Sequence, residues 1–329
     1  MKKYIFSLIN LLVFISCDQN LPDIENYSIE TLMSNNRTSG GYFSKDASRL
    51  IYSSDKTGVF NIYEVDLATK KETQKTYSKK ESYFVQGYSP LTNEIIYSAD
   101  KGGNENSHLY LIRNSESIDL TPGEDTKASF FGWTKDQTNM YFQSNSRDPK
   151  YFDLYKIDVK TLETKMIFQN DMAYSYNSIS ENDKYLVFKL SISRNEDKMF
   201  LYDLETRIKI EISNKKANYS GQGFDKNDEN YFYTTNYEGE FYYLMSYNIT
   251  SGERDLVYKT NWDVRNSYLT KNNTYRVISI NEDAKNRLVV INNNDNSTIN
   301  FKGLEGLNID GVYFSENEEI LRISARSSK

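Results

Sequence analysis

Cysteine and histidine are nearly missing from this chain, with one of each in 329 residues. A single cysteine excludes an internal disulfide framework, and a single histidine excludes a multi-histidine metal centre or a Cys/His zinc cluster. Proline is also scarce, at four residues, and no apolar run reaches the ~20 residues that a membrane-spanning helix requires. A basic excess is lacking too. The formal net charge is −6, so the concentrated positive face that a nucleic-acid partner needs is not expected. Chemistry, if the chain carries any, falls to carboxylates, hydroxyls and lysines. No catalytic, metal or cofactor-binding set emerges from the spacing, and no cofactor is expected.

Aromatic residues are abundant, with 28 Tyr and 17 Phe, a composition that suits many half-buried strands and argues against disorder. The length exceeds the usual ~100–200 residues per domain, which leaves either two domains or one large repeat architecture.

The N-terminus reads as a secretory signal. Lys2 and Lys3 precede a mainly apolar run from Tyr4 to Ile15, too short to span a bilayer, and then Ser16-Cys17. Phe14-Ile15-Ser16-Cys17 fits a lipobox, in which a small residue precedes the cysteine that becomes the lipidated N-terminus. Residues 1–16 are therefore expected to be removed and Cys17 to be lipidated, giving an exported, membrane-anchored lipoprotein, periplasmic or at the cell surface. Several acyl chains at ~0.8 kcal/mol per buried methylene anchor a protein stably. Loss of the leader leaves 38 basic against 46 acidic residues.

The rest of the chain repeats. An apolar residue followed by a polar turn recurs at Phe43-Ser44, Tyr88-Ser89, Trp133-Thr134, Ile179-Ser180, Phe224-Asp225, Leu269-Thr270 and Phe314-Ser315, at intervals of 45 or 46 residues. Self-similarity at ~40–45 residues marks propeller blades of four strands. Each anchor closes a first strand. A short, largely apolar second strand follows, such as Leu50-Ile51-Tyr52-Ser53 or Tyr185-Leu186-Val187-Phe188, suited to burial on both faces. Third strands include Asn61-Ile62-Tyr63-Glu64-Val65 and Phe152-Asp153-Leu154-Tyr155, and a more polar fourth strand is exemplified by Arg254-Asp255-Leu256-Val257.

The expected fold is all-β, a propeller of about seven blades over residues 39–329, with six complete repeats and a partial seventh. No helix of useful length is expected beyond Asn20. Residues 17–38 form the anchored N-terminal segment, in which Tyr27–Met33 is a candidate strand to close the ring. Otherwise the last blade exposes unpaired edges, and the chain reads as part of a longer protein.

Several loop strings resemble the N-terminal propeller of bacterial prolyl oligopeptidase family serine peptidases (dipeptidyl or acylaminoacyl peptidase-like). They are Gly102-Gly103-Asn104-Glu105-Asn106-Ser107-His108-Leu109-Tyr110, Leu120-Thr121-Pro122-Gly123-Glu124, Ser146-Arg147-Asp148-Pro149-Lys150-Tyr151-Phe152-Asp153-Leu154-Tyr155, Trp262-Asp263-Val264 and Tyr275 to Ala284. The resemblance implies a propeller that gates an α/β-hydrolase domain and admits short peptides. It carries no catalytic residue onto this chain. No serine lies in Gly-x-Ser-x-Gly spacing. The lone His108 starts a third strand where blade one has Asn61, and is expected to be structural.

Other candidates have turn explanations. Asp136 with Asp148 and Asp225 with Asp228 suggest glycosidase pairs, yet Asp136 and Asp225 fall in repeat turns. Asn292-Asn293-Asn294-Asp295-Asn296 has a calcium-like composition without the Gly and closing Glu of a loop site, and is expected to be a turn. Trp133, Trp262 and Phe241-Tyr242-Tyr243, the last expected in a third strand, are candidates for a ligand surface or for the core. The leading functional expectation is the substrate-gating portion of an exported peptidase, not catalytic by itself, with peptide substrates as partners. The alternative is a stand-alone propeller lipoprotein, similar to the Tol-Pal system's periplasmic propeller, that binds proteins.

Overall fold

The computed structural model describes residues 28–304 and 307–326. Cys17 and the leader lie outside the described residues. The chain divides into Met1–Asn36 and Arg37–Lys329. In the first unit, Ile29–Met33 is a short helix rather than the expected closing strand. Its cap explains this: the Ser28 hydroxyl accepts the Thr31 N–H at 3.2 Å, and Glu30 sits in the first turn, where a negative charge is favoured.

The second unit is a propeller: six four-stranded antiparallel blades and a two-stranded seventh. The first strands are Thr38–Phe43, Phe84–Tyr88, Ala128–Trp133, Ser175–Ile179, Tyr219–Phe224, Asp263–Leu269 and Asn308–Phe314. Every repeat anchor is the last residue of one of them. The seven turns that follow share one construction. Ala47, Asn93, Gln137, Asp183, Asp228, Asn273 and Glu318 each adopt positive φ, three or four residues after the anchoring Ser, Thr or Asp. The anchor side chain holds the loop: the Tyr185 N–H donates to Ser180 Oγ at 2.8 Å, while that hydroxyl donates to Asn182 Oδ1 at 2.7 Å. In blade two, Leu91 stands where the acceptor would be, and Ser89 Oγ is left buried without a partner.

Among the described residues the apolar core is divided. Six apolar clusters fill the six interfaces between consecutive blades. Ile51 and Ile62 meet Val85 and Tyr97 between blades one and two; Leu109 and Leu111 meet Met140 and Phe142 between two and three. The series continues through Leu154 with Phe188, Met199 with Tyr219 and Tyr231, Leu244 with Ile278, and Val290 with Ile309 and Val312. The second strands supply many of these residues because they are buried on both faces, and each such side chain contributes roughly 1.5–3 kcal/mol.

Among the described residues, none of these clusters joins blade seven to blade one. That seam is polar and aromatic. Arg322 lies over the Tyr313 ring at 4.4 Å and donates from Nη1 to the Gly40 carbonyl. Tyr42, on the other side, has its phenol pushed up, first by burial and then by Tyr313.

Candidate functional site

In every sheet the first strand is terminal, so one of its edges is unpaired within the blade and borders the central channel. All seven first strands carry a register break against their second strands. The extra residue is Gln86 in blade two, Phe131 in three, Asn177 in four, Gln222 in five, Arg265 in six and Asp310 in seven, with the Gly40-Gly41 pair in blade one. A bulge leaves a backbone unit unpaired and re-aims the side chain beside it. The channel thus has a ring of irregular backbone bearing three amides, a phenylalanine, an arginine and an aspartate, with the glycine pair of blade one. In blades two to five the bulge lies two residues before the anchor; in six and seven it lies four before, nearer the opposite mouth.

Between blades four and seven the channel widens into a cavity of about 450 Å³, lined by Asn177, Ser178, Gln222, Asn266 and Tyr313, among others. Its polar groups are mostly neutral. Gln222 Oε1 accepts the Ser267 N–H at 2.7 Å, and Asp310 is paired with Arg326 at 2.7 and 2.8 Å. Asn177 Oδ1, Ser178 Oγ and the Tyr231 hydroxyl are buried together, with no well-formed hydrogen bond among the described residues and Ser178 as the side chain nearest to partnering the phenol. Burial pushes the Tyr231 phenol up.

The mouth formed by the first turns is braced from blade to blade. Asp183 accepts the Lys135 N–H at 2.9 Å, Asp228 accepts the Glu181 and Asn182 N–H groups at 2.7 and 2.8 Å, and Glu318 accepts the Asn272 N–H at 2.6 Å. Lys45 reaches Gln137 at 3.1 Å and Lys271 reaches Glu181 at 3.0 Å, each two blades away.

The opposite mouth is uneven. Second strands in blades three, four and six run 10, 9 and 8 residues, against 6 in blade five. In blade four pairing continues past Leu190 and Lys198 to Ser193 and Glu196, whereas in blade five it stops at Thr235 and Tyr243 and the same seven residues, Asn236–Tyr242, form a loop. The notch over blade five is a cavity of about 570 Å³, walled by Arg194, Asp197, Tyr242, Asp263 and Arg265 among others.

The residues singled out in the sequence do not converge. His108 Nδ1 lies 2.7 Å from Asp119 Oδ2, within blade two, and among the described residues no hydrogen bond joins a serine to its ring. Asp136 accepts the hydroxyls of Thr134 and Thr138 in its turn, which holds its carboxyl below the usual range. Asp148 sits at the far end of the ten-residue strand Asn139–Asp148, about 30 Å of extended chain from that turn, too far for a catalytic pair. Asp225 braces its own turn through the Glu229 N–H at 2.8 Å, and Asp228 joins blade four. Burial raises the Asp228 carboxyl.

Asn292–Asn296 is the turn after a third strand, closed by the Asn294 N–H on Asn292 Oδ1 at 2.9 Å. Among the described residues, no group of three or more His, Cys, Asp or Glu is arranged to hold a metal ion. Trp133 packs on Phe130, and Trp262 on Phe241. The third strand of blade five starts only at Tyr243, so Phe241 and Tyr242 belong to the loop before it, where the chain departs from the blade and Tyr242 is free to wall the notch.

The hairpin end Ser146–Asp153 is a clasp. Arg147 binds both oxygens of the fully buried Asp153 at 2.6 and 2.9 Å and also donates to the Asn170 carbonyl, while Asp153 accepts the Asn170 N–H at 2.7 Å. It ties a third strand to the connection entering blade four. The bulges and the notch have no repeat signature in the sequence, because the bulged residues share no chemistry.

Comparison with known proteins agrees with this architecture. Residues 37–328 match the family described as prolyl oligopeptidase, N-terminal beta-propeller domain. Dipeptidyl aminopeptidase BIII from Pseudoxanthomonas mexicana is 28% identical over 149 residues, 43% of this chain and 21% of that protein, so the match spans about a fifth of the relative's length. Among solved structures, a prolyl endopeptidase aligns with a TM-score of 0.66 at 11% identity, over 89% of this chain and 50% of its own. TolB from Acinetobacter baumannii aligns at 0.52 and 12% identity, over 94% and 81%. An oligogalacturonate lyase in complex with manganese aligns at 0.62 and 15%, over 87% and 86%. At these identities the structural likenesses establish the propeller fold alone. The sequence match across the whole ring establishes more: this chain belongs to the prolyl oligopeptidase N-terminal β-propeller family.

Proposed function

We propose that this propeller is the substrate-gating part of an exported, lipid-anchored peptidase of the prolyl oligopeptidase type. In this reading it selects peptides by size and does not cleave them. The observation that carries the reading is the ring's construction: six interfaces sealed by apolar clusters and one polar seam, around a channel bordered by unpaired strand edges and bulged residues that include the amides Gln86, Asn177 and Gln222. Such a wall offers donors and acceptors to an extended peptide, while the ring excludes a folded protein. Hydrolysis would need an activated serine nucleophile, and the Gly-x-Ser-x-Gly elbow is not present in these 329 residues. Export and anchoring through Cys17 rest on the leader sequence.

The test is to mix the purified chain with chromogenic and fluorescent peptides of increasing length and with a serine-directed fluorophosphonate. Gating predicts binding of short peptides, weaker binding as length grows, no turnover and no label. Turnover with labelling overturns it, as does capture of folded proteins without short-peptide binding, the result expected of a protein-binding module. A ring closed by Tyr27–Met33 would have favoured that module, and the helix at Ile29–Met33 removes that support.

A further inference from the structure

We propose that the notch above blade five is a carboxylate-binding site, with Arg194 and Arg265 as its paired cationic walls and an acidic or free C-terminal peptide end as its ligand. The inference rests on the gating reading for the identity of the ligand as a peptide, and on the notch itself for the carboxylate.

Three observations place the site. The first is shape. Blade four continues its pairing to Ser193 and Glu196 and turns back between them, which puts Arg194 at the hairpin tip. In blade five the equivalent seven residues, Asn236–Tyr242, are an unpaired loop, and a cavity of about 570 Å³, within the range that small ligands fill, lies beside the blade-four hairpin.

The second is the displaced bulge of blade six. It falls at Arg265, two residues earlier than the bulges of blades two to five, and turns this side chain into the notch instead of the mid-channel ring.

The third is charge. Both acids in the wall are already engaged. Asp197 accepts the Ser191 hydroxyl at 2.8 Å, the Tyr219 N–H at 3.1 Å and Lys189 at 3.3 Å, and Asp263 accepts the Tyr242 N–H at 3.0 Å. Lys189 is taken up by Asp197 and the Tyr219 carbonyl. Arg194 and Arg265 make no ion pair among the described residues. Two uncommitted guanidiniums therefore border one notch in a chain whose net charge is −6. Guanidinium forks bind carboxylates bidentately, and the hydroxyls of Ser193, Ser220 and Thr234 in the same wall can donate to the remaining lone pairs.

The experiment compares a fluorescent tripeptide ending in a free carboxylate with its C-terminally amidated twin, by anisotropy, on the purified chain. The expected result is tighter binding of the acid, weakening as salt rises. Arg194→Ala and Arg265→Ala should each reduce acid binding by about tenfold, with the amide unchanged. Lys substitutions at the two positions retain charge and recover part of the loss. Lys45→Ala, at the opposite mouth, should change nothing. Both arginines are exposed, so the variants are expected to fold, and thermal unfolding checks this. If acid and amide bind equally, with no effect of either arginine, the carboxylate site is refuted while gating stands. If neither peptide binds, both readings fall.

Discussion

The guanidinium of Arg322 in the last blade donates to the carbonyl of Gly40 in the first and lies against the bare Cα of Gly41. Residues 282 positions apart thereby close the ring without strand pairing. Gly41 has φ +118°, and a Cβ there would overlap the Arg322 side chain. Gly41→Ala should destabilise the chain by about 1–3 kcal/mol from backbone strain, with an added clash. Combining it with Arg322→Ala should relieve the clash but not the strain. Urea unfolding of the two single variants and the double variant measures this coupling.

Asp228 is the strongest of the braces between turns, since it accepts two backbone N–H groups of the preceding blade. Asp228→Ala leaves both donors unpaired and should cost about 1–3 kcal/mol. Asp228→Asn keeps an acceptor and should cost less. Amide hydrogen exchange at Glu181 and Asn182 should rise in the alanine variant before exchange elsewhere does.

Acid should loosen the turns. Hydrogen bonds from the Ser44 hydroxyl and from Ser48 hold the Asp46 carboxyl at about 2, against an ordinary value of 3.8, and Asp66, Asp136 and Asp158 are lowered by bonds of the same kind. Below their ordinary values the unfolded chain takes up protons that the native turns resist. The stabilisation is therefore complete above about pH 4 and is lost as pH falls towards 2. Blades four and seven use Asn182 and Asn317 at the position of Asp46. Asp46→Asn should thus leave the midpoint at pH 7 nearly unchanged and flatten its fall in acid.

Tyr231 and Gly221 form a second tight pair. A Cβ on Gly221 would overlap the Tyr231 hydroxyl and crowd Asn177. That hydroxyl is fully buried with no better partner than the Ser178 side chain, so Tyr231→Phe should change stability by no more than about 1 kcal/mol. Gly221→Ala should destabilise, and Tyr231→Phe in the same chain should recover part of the loss. Thermal unfolding of the set decides it.

The propeller was legible because its determinants are local and repeated. Phe43, Tyr88, Trp133, Ile179, Phe224, Leu269 and Phe314 all end first strands, since each precedes a turn whose Ser, Thr or Asp must cap it. What was not legible depends on distant partners or on exceptions to the repeat. The bulges bear Gln, Phe, Asn, Arg and Asp, so no residue type announces them. The Arg322 seam joins opposite ends of the sequence, and the notch lies where the seven residues that form a paired hairpin in blade four are an unpaired loop in blade five. Tyr27–Met33 is a candidate strand because the ring calls for one to close it, and the Ser28 cap decides for a helix at Ile29–Met33.

The central claim is that this ring admits peptides and leaves their cleavage to a serine nucleophile outside these residues. One measurement tests it most directly: a purified sample is exposed together to a chromogenic peptide, a fluorophosphonate probe and a fluorescent short peptide. Gating without cleavage gives saturable short-peptide binding with no colour and no label. Stoichiometric labelling with peptide turnover would contradict it.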